Sequence, residues 1–365
     1  MKVRNVILMS GLRLDHPNSF SHQLGLLAKF MEQRDVKVVL ADPGFGSQIQ
    51  CEQSNHLTKI EKLIKKTNAQ AVVLLGYPDQ FFFLYKIKGV RIPFFLWAQF
   101  SSTVDTKALD HVIPVPLTEK TRGFFKKSGV KHIGPIIPHG VDTNLYLPLS
   151  VTERQGLKKR YGLKDLFVIG TVGANTIRKR IDKIIESFAL FLKNKNDGFL
   201  LIKTDRIISL DGTDLKAIAK KSGVLHAIRF ITGDLAEERM NELYNSMDMY
   251  LNLSEWEGFC IPVIEAMACG VPVAYIPIQG PGETVPYKEL LIGGSHILRE
   301  GERVLYIAEP YGVSKLLIKA YENRRLLADL SHRGRTTVEN RFDIRIVTRM
   351  WEELIVKTEG STPSS

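Results

Sequence analysis

Apolar runs of strand length alternate with helical patterns along this chain, and they do so in two successive series. Asn5–Met9, Val36–Leu40, Ala71–Leu75 and Pro93–Trp97 read as strands, with helical patterns at Phe20–Gln33 and His56–Lys66. The second series runs Leu166–Thr171, a helix over Arg180–Leu192, Phe199–Thr204, a helix over Asp211–Ser222, Ile228–Thr232, a helix over Glu237–Asn245, Met249–Leu253 and Val271–Tyr275. Alternation of this kind is the pattern of a parallel sheet flanked by helices, so each series predicts a Rossmann-like α/β half. A length of 365 residues exceeds the usual size of one hydrophobic core and agrees with two domains. Pro148 and the polar stretch Ser150–Arg154 read as a linker, which makes the expected domains 1–150 and 151–341. Residues 342–358 carry one further amphipathic helix, patterned from Phe342 to Val356, and 359–365 read as a disordered tail.

Hydrophobic residues make up 44% of the chain and charged residues 24%, as in soluble globular proteins. No apolar run approaches the roughly eighteen residues that a membrane helix needs. The N-terminal apolar stretch is too short for a signal peptide, and Cys51, Cys260 and Cys269 show neither metal-ligand spacing nor a disulfide framework, so a cytoplasmic location is expected. The formal net charge of +11 favours acidic partners: sugar nucleotides, anionic lipid head groups or nucleic acid. A solvated basic surface accounts for it equally well. Lys120, Arg122, Lys126, Lys127 and Lys131 interleave with Phe124 and Phe125, which suits either a seat on anionic lipid or a solvated helix with two buried phenylalanines. Ala71–Phe100 is unusually apolar, with Phe81, Phe82 and Phe83 consecutive; it reads as core by default, and an acceptor-lipid surface is the other reading.

The chemistry concentrates in Ser254–Val273. Gly258 permits a turn and Pro262 suits the first helical position, so a helix is expected to begin near Ile261. Its free N–H groups and positive dipole end favour an anion, and a diphosphate fits against Phe259, Cys260 and Ile261. Glu257 and Glu265 lie eight apart, with Glu265 one turn inside the helix. Carboxylates accept strongly from hydroxyls, so two of them beside a phosphate site suggest a ligand that is part polyol and part phosphate, such as a nucleotide sugar. Taken singly, each glutamate is also what the first turn of an ordinary amphipathic helix carries.

Further motifs occupy comparable positions. Gly170–Arg180 follows a strand and opens a helix, the setting in which backbone amides and cations hold phosphates; Gly173 lies in the turn, and Arg178, Lys179 and Arg180 supply charge. Met9–His22 links the first strand to the first helix, and its Gly11 permits close backbone approach, although an ordinary connection reads the same way. Phe230–Arg239 reads as a strand, a glycine turn containing Asp234, and a capped helix. Within Ile136–Tyr146, a turn-forming Gly140 stands between His139 and Asp142.

Ser254–Val273 resembles the Glu-x7-Glu signature of retaining glycosyltransferases with the GT-B fold, in particular the family-four group known as glycosyl transferases group 1. Pro138–Asp142 resembles the Pro-His-Gly-Val-Asp segment that precedes the interdomain linker in that group, which makes His139 and Asp142 organisers of a cleft wall. Gly170–Arg180 resembles its Gly-Arg-x4-Lys diphosphate clamp, with Lys179 on the lysine position; Ala174 stands on the arginine position, and Arg178 is expected to take over. The resemblance implies an α/β GT-B fold: two Rossmann-like domains facing an interdomain cleft, with a C-terminal helix returning to the first domain. It places a nucleotide-sugar donor in the second domain, with Lys179, Arg178 and the amides at Cys260 and Ile261 on the diphosphate, Glu257 on the sugar and Glu265 on ribose hydroxyls. Gly258, Phe259, Gly173 and Gly11 would face the donor, and Asp234 would flank the nucleobase.

Where the family often has a histidine after the fourth strand, this chain has Gln99, and a neutral amide is no base. The implied activity is transfer of a hexose from a nucleoside diphosphate sugar to a glycan, lipid or other acceptor hydroxyl, with retention. No cofactor is implied, and with no Asp-x-Asp motif no metal is expected. Peripheral contact with an anionic inner membrane face fits the charge, and nucleic acid is not expected as a partner. The same features also suit a phosphorylase or a sugar-nucleotide epimerase of this fold, or a non-catalytic sugar or nucleic-acid binding protein.

Overall fold

The computed structural model describes residues 2–14, 18–41, 53–78, 80–81, 84, 90–98, 109, 112–293, 296–300 and 303–359; Cys51, Phe82, Phe83, Gln99, Phe100 and the tail 360–365 lie outside the described residues. The chain divides into two units, one made of Met1–Asp142 with Arg341–Ser365 and the other of Thr143–Asn340. No helix among the described residues is long and apolar enough to cross a membrane.

The first unit contains β1 (Asn5–Ser10), α1 (Ser19–Glu32), β2 (Lys37–Ala41), α2 (Gln53–Thr67), β3 (Ala71–Gly76), β4 (Phe94–Ala98), β5 (Ile113–Pro116) and α3 (Glu119–Lys127). Its strands are all parallel, in the order β2-β1-β3-β4-β5. β3 and β4 are buried at every position, which is why they read as unbroken apolar runs rather than alternating ones: both faces of a parallel sheet are covered. α1 starts where Asn18 accepts from the N–H groups of Phe20 and Ser21, in a reciprocal cap with Ser21. β5 escaped sequence reading because Pro114 and Pro116 argue against a strand, yet its place at the sheet edge tolerates them. Of the two phenylalanines on α3, Phe125 is fully buried and Phe124 half-buried. The strand order reverses between β1 and β3, and the glycines at the ends of those two strands make room for one side chain. A Cβ on Gly11 or on Gly76 would come within 2.1 Å or 2.4 Å of Gln80 Oε1.

The second unit contains α4 (Val151–Arg160), β6 (Phe167–Val172), α5 (Ile181–Leu192), β7 (Gly198–Lys203), α6 (Leu215–Lys221), β8 (Ile228–Ile231), α7 (Glu237–Asn245), β9 (Met249–Asn252), α8 (Ile261–Ala268), β10 (Val273–Tyr275), α9 (Pro281–Thr284), β11 (His296–Glu300), β12 (Arg303–Ile307), α10 (Pro310–Glu322) and α11 (Arg324–Arg341). The parallel sheet runs β10-β9-β6-β7-β8, beside an antiparallel pair β11-β12. Starting from β8, that is the 3-2-1-4-5 order of a Rossmann sheet, with its switch point between β6 and β9.

Three local expectations change. The stretch 150–154, read as linker, opens α4, because Ser150 and Glu153 form a capping box. The helix expected from Asp211 begins at Leu215: Gly212 has φ 86°, and Asp214 caps by accepting from Lys216 and Ala217. α7 has the expected span but no side-chain cap, since its N-cap residue is Ala236 and Asp234 lies two positions too early.

The last helix, α12 (Ile344–Glu359), packs within the first unit. Val141 N donates to Phe342 O at 2.9 Å and Ile344 N to Val141 O at 3.0 Å, which pins the start of the helix to the His139–Asp142 segment. Trp351 is fully buried, its ring 5.4 Å from Trp97 and 5.9 Å from Phe95. Farther along, Glu352 accepts from Arg34 of the segment after α1, at 2.7 Å and 2.8 Å.

Candidate active site

β6 and β9 are hydrogen-bonded neighbours, so the loops that leave their carboxyl ends meet at the switch point of the second sheet. After β6 the chain passes Gly173 into a 3-10 turn at Ile177–Lys179 and then α5. After β9 it runs through Ser254–Cys260 into α8. Glu255 N donates to Arg178 O at 2.8 Å, which lays Arg178-Lys179-Arg180 alongside Glu255-Trp256-Glu257. Lys179 Nζ then pairs with Glu257 Oε1, and Arg178 Nη1 lies 2.9 Å from Glu257 Oε2. Arg178 also donates to Trp256 O at 3.2 Å, with its guanidinium 5.1 Å from the Trp256 ring centroid. Arg180 turns the other way, to Glu255 Oε1 and Asp182 Oδ2, each at 3.0 Å, from a left-handed backbone with φ 50°.

Burial alone pushes the Glu257 carboxyl up, but the charges of Lys179 and Arg178 and the hydrogen bonds from Lys179 and Ser254 outweigh it and hold the group below the usual carboxylate range. Glu257 is thus ionised and compensated by two cations inside a site where it is only 6% exposed. Sequence reasoning gave the cations to one ligand part and Glu257 to another; their mutual pairing was not foreseen. The matching triplets Arg-Lys-Arg and Glu-Trp-Glu were the available signal.

α8 begins at Ile261, so Pro262 is its second residue rather than its first. The left-handed turn falls on Cys260, with φ 71°, and not on Gly258, which costs on the order of 1 kcal/mol for a residue with a Cβ. Burial lifts the Cys260 thiol to about 12, so it is no nucleophile near neutral pH. Phe259 is buried beneath Gly280, where a Cβ would come within 2.3 Å of Phe259 O. Gly173 is less constrained, since a Cβ there would touch the Lys179 chain at 3.4 Å. Glu265 is buried and accepts from Tyr244 OH at 2.6 Å, a partner the sequence did not reveal. Asp234 is exposed on the loop after β8, in electrostatic reach of Lys203 but outside the Glu257 cluster.

Gly11, His139 and Asp142 belong to the first unit. Gln23, fully buried, brackets the Gly140 peptide by donating to its carbonyl at 3.0 Å and accepting from its N–H at 3.1 Å. His139 is fully buried, its ring 4.7 Å from that of Trp97. Burial, with the nearby His22 charge adding to it, lowers the imidazole from 6.5 to about 3. The folded chain therefore keeps His139 neutral while the unfolded chain takes up a proton below about pH 6.5. Unfolding gains protons in that window, so stability falls as pH drops from 6.5 toward 3, by up to about 1.4 kcal/mol per pH unit. Denaturation midpoints measured from pH 7 to pH 4.5 should decline, and His139→Gln should flatten that decline; an unchanged slope in the variant would remove His139 as its source.

Comparison with known proteins identifies the fold and the family. Solved structures share the fold over nearly the whole chain: Anabaena HepE in complex with UDP and glucose, at 16% identity and TM-score 0.76, with 97% of this chain and 100% of that one covered, and a glycosyltransferase from Rickettsia africae, at 16% identity and TM-score 0.79, covering 99% and 100%. The architecture is the GT-B class, two doubly wound α/β units. The family described as glycosyl transferases group 1 matches residues 153–335, half of the chain, and the chain belongs to that family. Mannosylfructose-phosphate synthase of Agrobacterium fabrum is 26% identical over 240 residues, 64% of this chain and 48% of that protein. The chain spans about half the length of the curated relatives it matches.

Proposed function

We propose that this chain transfers a hexose from a nucleoside diphosphate sugar to a hydroxyl of a glycan, lipid or other acceptor, with retention of anomeric configuration. The observation that carries the reading is the pairing of buried Glu257 with Lys179 and Arg178 before the amino end of α8, at the sheet's switch point. In the reaction the bond from the sugar's anomeric carbon to the phosphate oxygen breaks, its electron pair stays on the diphosphate, and the acceptor oxygen forms the new bond. Lys179 and Arg178 stabilise the charge that grows on the leaving diphosphate, together with the amides of Cys260 and Ile261 at the start of α8. Glu257 accepts from sugar hydroxyls and Glu265 from ribose hydroxyls. The acceptor's proton passes to the leaving phosphate, so no protein nucleophile and no metal is required. HepE, solved with UDP and glucose, and the Agrobacterium relative, named as a synthase of a sugar phosphate, support a nucleotide-sugar donor here. A cytoplasmic location, with peripheral contact at an anionic membrane face, fits the net charge of +11.

Thermal stabilisation and slow donor hydrolysis across UDP-, GDP- and ADP-sugars test the reading. Glu265→Gln is the control of choice, because the amide oxygen still accepts from Tyr244 OH whereas alanine would leave that buried hydroxyl without its acceptor. One donor class should stabilise the protein and be hydrolysed, with both responses weakened in the variant. Isomerised donor would point to an epimerase instead, and silence toward every donor would refute the transfer reaction.

A further inference from the structure

We propose that a basic groove on the second unit, at the amino ends of its strands and so opposite the Glu257 cluster, binds a phosphorylated small molecule through Lys159 and Arg324. The groove encloses about 920 Å³ between α4, the start of α11 and the segments that lead into β6, β9 and β10. That volume lies within the range of small-molecule sites. Lys179 and Glu257 stand on segments that leave β6 and β9, whereas this groove lies where the chain enters them. With six residues in β6, about 20 Å of strand separates the two.

The charges lining the groove do not balance. Arg154, Lys158, Lys159, Lys164 and Arg324 face only Asp165 and Asp248. Asp248 is already committed: it accepts from Arg154 at 2.8 Å, from Lys158 at 2.8 Å and from the N–H of Val168 at 2.7 Å. Lys164 has Asp165 at 3.9 Å. Among the described residues no ion pair joins Lys159 or Arg324 to a carboxylate. The Arg324 guanidinium lies against the rings of Phe167 and Tyr321, 4.4 Å and 4.6 Å from their centroids. The two rings stand 5.2 Å apart and nearly perpendicular, so both flank the guanidinium from the same side; a guanidinium takes a phosphate through its in-plane N–H groups. The local field has the same sign: burial lowers the Lys158 ammonium, Asp248 counteracts it, and Arg154 and Arg324 push it further down. An anion in the groove relieves that repulsion.

The shared chemistry is a phosphate dianion, supplied by a soluble metabolite or by a lipid head group, and inorganic pyrophosphate is a sufficient probe. Calorimetric titration of the full chain is done in the Lys179→Ala background, because pyrophosphate is also expected at the donor loops. Binding should persist there and weaken about ten-fold or more in both Lys159→Glu and Arg324→Gln, the loss of one charge-assisted contact. Lys159 is exposed, so its variant keeps the fold even if the Arg324 variant does not. If pyrophosphate fails to bind and phosphatidylcholine vesicles carrying phosphatidic acid bind in a Lys159-dependent way, the phosphate is a lipid's. Pyrophosphate affinity that vanishes with Lys179→Ala, or that Lys159→Glu leaves unchanged, without such vesicle binding, overturns the site. Neither result depends on which donor the second unit uses.

Discussion

Lys179→Ala is expected to lower donor turnover about 10²–10³-fold, the usual cost of removing one preorganised group that faces developing charge. Lys179 is held by its pair with Glu257 and is only 11% exposed, so its charge is screened little by solvent. Because the charge on the leaving group is greatest in the transition state, kcat and kcat/KM should fall together rather than KM rising alone. The fold should survive. Glu257 keeps Arg178 at 2.9 Å, so the buried carboxylate is not left without a cation, although it should protonate at a higher pH than before, since Lys179 is the largest of the favourable influences on it. Arg178→Ala should cost less, because Arg178 is 34% exposed and its guanidinium lies over the Trp256 ring. Steady-state kinetics on a folded Lys179→Ala protein decide the matter, and wild-type kcat would take Lys179 out of the reaction.

Trp351→Ala should destabilise the first unit by about 3–5 kcal/mol, measured by chemical denaturation. Trp351 comes from the far end of the chain yet is fully buried against Phe95 and Trp97, and its loss would leave a cavity where α12 meets the sheet. That is a large share of the 5–15 kcal/mol by which a domain is ordinarily stable. The conservative variant sharpens the expectation. The Trp351 indole N–H is buried with no hydrogen-bond partner, so Trp351→Phe loses volume but no hydrogen bond, and should cost well under half as much. An alanine variant as stable as wild type would mean that α12 does not complete this core.

Much of the fold was legible because its signals are local. β3 and β4 announce themselves as unbroken apolar runs, and α7 matched its expected limits at both ends. Failures occurred where a local signal had two meanings. Ser150 and Glu153 look like polar linker until they are seen bonding each other across a helix's first turn. Two prolines deny a strand at Ile113–Pro116 until the strand proves to be at an edge. At the candidate site, Gly258 was the natural place for a turn, yet Cys260 carries the left-handed conformation, next to Phe259, whose backbone Gly280 approaches closely from some twenty residues on.

Hydrophobic period, glycine and proline placement and charge are properties of short stretches, so sequence by itself determined that two βα series exist, that a helix opens near Ile261, and that Arg178, Lys179, Glu257 and Glu265 are the polar groups at the loop and helix start. Only the tertiary structure decided which of them meet. Lys179 and Glu257 are 78 residues apart, and their contact follows from β6 lying beside β9, a matter of strand order that no local pattern encodes. The burial that makes their pairing strong is likewise a sum over many elements, and so is the charge imbalance of the groove beyond the opposite strand ends.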